Sequence, residues 1–303
     1  MTRMPSGVRL LALSLGLGAS SALTLAQAPA ATPKAASKPA AKAAPRAAAT
    51  PRPLPAPEPR AIEILKAACA KVASAGSISF TALGAYEVPS LWGPPLIYGR
   101  IYEVALQRPD KLAVVTIGDG PRTEFYDDGK VMMSFHPAEN LVAVADAPPT
   151  IDAALEKLYG IAGTYFPFTD VIVSDPWKDM ADGLTGAFYV GESILVGGVT
   201  TDVVAYESNG VFIQMWIGRD DKLPYMARAM YLDDPLQLRQ SVQFSKWQLN
   251  PPVAAGAFAS AKAAGADKIP FNHPKMKSEL PAQVKPVGAK TPAMRPKATP
   301  KPQ

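Results

Sequence analysis

The sequence predicts an α+β, mainly β chain: a curved antiparallel half-barrel of about ten or eleven strands, with an N-terminal helix and a helical lid insertion. Three observations predict it. Short segments of strand formers, several with alternating apolar and polar residues, recur between turn signals. Helical periodicity is confined to one leading segment and one central insertion. A sheet that wide, apolar on one face, must curl around so few helices to cover that face.

Residues 1–26 read as a secretory signal, with two arginines, then the apolar run LLALSLGLGASSALTLA, then Thr24 and Ala26 at the small-residue positions before cleavage. Residues 27–59 and 272–303 are rich in Ala, Pro, Lys and Arg, a composition that cannot bury enough apolar surface to offset ordering, so both are expected to be disordered. That leaves residues 60–271 as one domain. The chain is +5 overall, but residues 1–60 and 272–303 together carry +13, which leaves −8 for residues 61–271. An acidic domain is a poor partner for nucleic acid. The basic tails suit an anionic membrane surface or cell-wall polymer.

The leading helix is AIEILKAACAKVASAG, with Ile62, Leu65, Cys69 and Val72 at helical spacing and Gly76 ending it. Cys69, the only cysteine, packs there as a small apolar residue. SISFTALGAYEV and LIYGRIYEVALQRP follow as strands, then KLAVVTIG after the Pro109-Asp110 turn. RTEFY turns through Asp127-Asp128-Gly129 into KVMMSFH, and NLVAVADA is the next strand. Thr150 caps a helix over IDAALEKLYG, with Asp152 in its first turn. TYFPFTDVIVSDPWKDMAD gives one or two short helices broken at Pro167 and Pro176. Strands resume with TGAFYVGESILVG, VTTDVVAYES, VFIQMWIG after Asn209-Gly210, LPYMARAMYLDD and LQLRQSVQFSKWQL.

Little in this chain points to catalysis or metal binding. His136 sits in a turn and His273 in the C-terminal tail, and no Gly-x-Ser-x-Gly elbow is present. Two histidines and one cysteine make no metal cage. The Asp pairs at 127–128, 220–221 and 233–234 all fall at turns, where aspartate bonds its own backbone. No catalytic residue, metal or cofactor is expected.

The runs FYDDGKVMMSFHPAENLVAVADAPPTIDAALEKL and SDPWKDMADGLTGAFYVGESILVGGVTTDVVAYES, with VFIQMWIG and the ending WQLNPPVAAGAFASAKAAGADKIPF, resemble a bacterial family of predicted periplasmic proteins of unknown function. That family is similar to the LolA/LolB lipoprotein-carrier superfamily. The resemblance implies a LolA-like unclosed barrel whose concave apolar face binds acyl chains without catalytic residues. It also implies a periplasmic binding protein, not an enzyme, for a lipid, an acyl chain or a lipidated protein. A monomer is expected. The expected lining is Tyr98, Tyr102, Met133, Phe135, Ile213, Met215, Leu238, Val242 and Phe244, with Phe166, Phe168 and Trp177 from the lid. The alternative is an envelope scaffold or stress-sensor-type interaction module tethered by the basic tails.

Overall fold

A proline opens the first helix, α1 (Pro59–Ala73), where its missing N–H would have no intrahelical partner anyway. The computed structural model describes residues 56–254 and 256–272. The signal, nearly all of the first tail, His273 and the rest of the C-terminal tail lie outside the described residues. The face that α1 buries is Ala61, Leu65, Ala68, Cys69 and Val72. Ile62, expected on that face, is only partly buried at its edge.

β1 (Ser77–Val88), β2 (Leu96–Gln107), β3 (Lys111–Gly118), β4 (Thr123–Asp128), β5 (Val131–His136) and β6 (Leu141–Asp146) form one meander. α2 (Ile151–Ala162), α3 (Thr169–Ile172) and α4 (Pro176–Ala181) interrupt the sheet. β7 (Leu184–Ser193), β8 (Thr201–Ser208), β9 (Val211–Gly218), β10 (Pro224–Tyr231) and β11 (Arg239–Leu249) form a second meander. The two join where β1 pairs with β11, Ala82 opposite Phe244 and Gly84 opposite Val242. The result is one open curled sheet ordered β12-β6-β5-β4-β3-β2-β1-β11-β10-β9-β8-β7, with β12 and β7 as its edge strands; Glu58 bonds to the β7 edge, donating its N–H to the Ala187 carbonyl and accepting the Tyr189 N–H, both at 2.8 Å.

The expected ten or eleven antiparallel strands become twelve, and the last, β12 (Asp267–Ile269), runs parallel to β6. It follows the one-turn α5 (Ala261–Ala264). Three exposed residues carry no apolar alternation, so nothing in DKI announces a strand. Its position covers the β6 edge.

Local chemistry fixes the turns and the insertion. The Asp128 carboxylate accepts the N–H groups of Lys130 and Val131 at 2.8 Å, and Asp127 accepts that of Gly129 at 2.9 Å. Asp221 and Asp234 take backbone N–H groups of Leu223 and Leu238 in the same way. Thr150 caps α2 by accepting the Ala153 N–H at 3.2 Å, and Gly163 ends it in the left-handed region. Asp152 then accepts the Ser174 N–H at 2.9 Å, tying the first turn of α2 to the α3–α4 connection.

The helices pack on one face of the sheet in two apolar clusters. Val72, α2 and α3 cover Phe80, Val104, Leu112, Phe125, Met132 and Phe244 from β1 to β5 and β11. Most of the α1 face and Met180 of α4 cover Val204, Ile213, Met215 and Ile217 from β8 and β9. The other face carries only small clusters, one of them Met133, Phe135 and Val142 beneath Ala263 and Ala266.

Candidate functional site

A cavity of about 90 Å³ lies where the second meander meets the helices. Ala68, Cys69 and Val72 of α1 form one wall, with Pro176 and Met180 of α4. Tyr165, Pro167 and Asp170, from the α2–α3 connection and α3, form another. The sheet contributes Tyr206, Ile213, Met215, Ala227, Ala229, Tyr231, Gln240 and Val242. Small residues are part of the wall: Ala68 on the helix, and Ala227 and Ala229 on β10.

The wall is apolar apart from a few groups. The Tyr231 hydroxyl donates to Gln240 Oε1 at 3.1 Å. Asp170, Tyr165 and Tyr206 have no hydrogen bond or ion pair among the described residues. Burial, and secondarily Asp179, pushes the Asp170 carboxyl up to about 7. Burial, then the charge of Asp170, pushes the Tyr165 and Tyr206 hydroxyls well above their usual range, and Tyr231 to about 12. Burial also raises the Cys69 thiol to about 12, with Asp175 adding to it, so the thiol keeps its proton at neutral pH.

Of the twelve side chains expected to line the site, the structure brings three to the cavity: Ile213, Met215 and Val242. Tyr102, Phe166, Phe168 and Phe244 are core instead. Phe166 stacks on Phe168 at 5.4 Å, and Phe80 and Tyr102 meet Phe168 edge-on at 5.4 Å. The lid aromatics therefore plug the first meander rather than roof a ligand space. Met133 and Phe135 lie on the opposite face from Met132, packed under α5. Leu238 is buried at the β10–β11 turn, away from the cavity wall. Tyr98 is half exposed and stacked on Tyr86, and Trp177 sits half-buried with the Lys66 ammonium 5.0 Å from its ring. Tyr165, Asp170, Tyr206 and Tyr231 line the cavity and are not among those twelve.

His136 closes β5 opposite Leu141, at the hairpin where it was expected. Among the described residues, no group of three or more His, Cys, Asp or Glu could hold a metal ion. No helix among them is long and apolar enough to cross a membrane.

Fold and site together define an open curled antiparallel sheet with helices across one face and a small apolar cavity between them. Residues 61–272 match the family model described as predicted periplasmic protein (DUF2092), and the chain belongs to that family. It is a periplasmic protein. No curated protein matches its sequence. Among solved structures it is similar to MucB, at 16% identity and a TM-score of 0.40 over 68% of this chain. The chain spans 64% of the length of that MucB. It is similar to LprF from Mycobacterium bovis, at 14% identity and a TM-score of 0.41, over 68% of this chain and 99% of the other. It is also similar to a LolA superfamily protein from Nitrosomonas europaea, at 10% identity and a TM-score of 0.29, over 66% of this chain and 97% of the other.

Proposed function

We propose that this chain is a non-catalytic periplasmic binding protein whose cavity receives the apolar end of a lipid, an acyl chain or a lipidated protein. The observation that carries this reading is the wall itself: aliphatic and aromatic side chains from α1, α4 and β8 to β11 surround a space that small residues leave open. Each buried methylene contributes roughly 0.8 kcal/mol, so even a short enclosed segment is held measurably. The cavity, about 90 Å³, is small beside a whole acyl chain. The cavity therefore takes the end of a chain, and a longer chain runs out from it.

The test is uptake of the fluorescent apolar probe N-phenyl-1-naphthylamine by wild type, Ala229→Phe and Ser245→Asp. Ala229 lines the cavity, and a phenyl ring there fills it. Ser245 is exposed on the other face of β11. Saturable uptake should be lost in Ala229→Phe and kept in Ser245→Asp, with both variants folded by circular dichroism. Uptake retained in Ala229→Phe moves binding elsewhere.

One observation favours the second reading, an envelope interaction module. The tip of the β1–β2 hairpin presents Leu91 and Trp92 at 100% and 91% exposure, beside Leu96 and Ile97. Wild type that takes up no apolar probe would leave that reading in place of the first.

A further inference from the structure

The polar groups in the cavity wall say more about its ligand than the apolar ones. Asp170 is an acid in an apolar wall, and neither lysine nor arginine lines the space with it. No ion pair reaches Asp170 from any described residue. Asp170 is partly buried, and a carboxylate that loses some of its hydration without gaining a partner is destabilised in proportion. Tyr165 and Tyr206 stand near enough to feel its charge, yet each hydroxyl also lacks a hydrogen bond among the described residues. Tyr231 is different, being already engaged with Gln240.

We propose that Asp170, with the hydroxyls of Tyr165 and Tyr206, forms the polar end of the cavity and selects an amphiphile bearing a protonated amine beside an apolar chain. This rests on the apolar-cavity reading above and deepens it. An ammonium has three donors and no acceptor, and these three side chains offer four oxygens that can accept, two from the carboxylate and one from each hydroxyl. The other charges nearby favour the same sign. Asp179 of α4 acts on Asp170, and Asp175 acts on Cys69. A carboxylate ligand meets repulsion from Asp170 itself, with Asp179 close behind it. The proposal therefore separates a cationic amphiphile from a fatty acid, which a purely apolar pocket does not distinguish.

The groups facing Asp170 are Asp179 from α4, Tyr165 from the α2–α3 connection, Tyr206 from β8 and Tyr231 from β10, with the Cys69 thiol of α1 beside Tyr206. Burial keeps the tyrosines and the thiol neutral through the neutral pH range. Asp170 itself, pushed up to about 7, changes charge within it. Amine binding should therefore strengthen as pH rises from acid to slightly alkaline, while the amine stays protonated.

The experiment measures octylamine, octanol and octanoate by displacement of N-phenyl-1-naphthylamine, at about pH 5 and about pH 8, on wild type and Asp170→Asn. At the higher pH, octylamine should bind roughly tenfold tighter than octanol, with octanoate weakest. The amine preference should shrink at the lower pH and disappear in Asp170→Asn, which should still bind octanol. The wild-type pH comparison stands even if the variant does not fold. Equal binding of amine and alcohol by wild type, or a preference unchanged by pH, overturns the amine assignment and leaves the apolar cavity intact. Failure of all three to bind overturns the cavity reading itself, and the amine assignment falls with it.

Discussion

Replacing Asp170 by Asn should make the protein more stable, and increasingly so as pH rises. The native carboxyl is held near 7 by burial first and Asp179 second, whereas the same group in an unfolded chain releases its proton near 3.8. Between those values the native state binds more protons than the unfolded state. The linkage slope is then negative: this group's contribution is fully present below the unfolded pKa and is lost as pH climbs through the native one. About three pH units at 1.36 kcal/mol each set a ceiling of about 4 kcal/mol. Asp170 keeps part of its surface exposed, so water reaching it reduces that penalty, and about 2 kcal/mol is the expected size.

Urea denaturation of wild type and Asp170→Asn at about pH 4 and about pH 8 reads this directly. The variant has no charge to bury, so its advantage over wild type should grow by about 2 kcal/mol between the two conditions. Asp127, pushed up to about 6 by burial, loses stability in the same direction, but it titrates in both proteins and cancels in the difference. A difference that stays flat with pH, or a wild type favoured at the higher pH, would refute the reasoning. Asp170 would then be ionised and stabilised in the native state.

Two further outcomes follow from the packing. Phe168 is fully buried among Phe80, Tyr102 and Phe166, so Phe168→Ala should cost about 3–5 kcal/mol in a urea melt; a cost under about 1 kcal/mol would show that the lid does not plug the first meander. Cys69 is 7% exposed with its thiol pushed up to about 12, so a thiol reagent should label it only on unfolding, and fast labelling of native protein would place it at an open surface.

The fold was legible where local chemistry announces itself. Asn209 and Gly210 both adopt positive φ, at 52° and 75°, as their hairpin turn requires. Thr150 starts α2, and Asp128 closes the β4–β5 turn by the bonds expected of it. β12 was not legible, because its pairing with β6 depends on where the chain returns rather than on its own three residues. β5 shows a different limit. Both of its faces are buried, Met132 beneath the helices and Met133 with Phe135 beneath α5. A period of two sorts residues into two faces but cannot say which is concave when both are apolar.

The site was harder to read for a reason that the cavity makes plain. A search for the largest apolar side chains finds what fills space, and Tyr102, Phe166, Phe168 and Phe244 fill it. A cavity lies where side chains are too small to meet, so its signal is Ala68 at a buried helix position and Ala227 and Ala229 two apart on β10. Such alanines look like ordinary core until the elements are placed opposite one another. The polar group that belongs to a cavity is equally quiet in sequence. Asp170 reads as a favourable acid in the first turn of α3, and on a free helix that would explain it. Only packing brings it near Tyr165 and Tyr206 and strips part of its water. The pairing of small residues with one unpartnered acid therefore marks a place where the chain gives up stability, and a ligand of the proposed kind, supplying the missing atoms and the missing charge, would restore it.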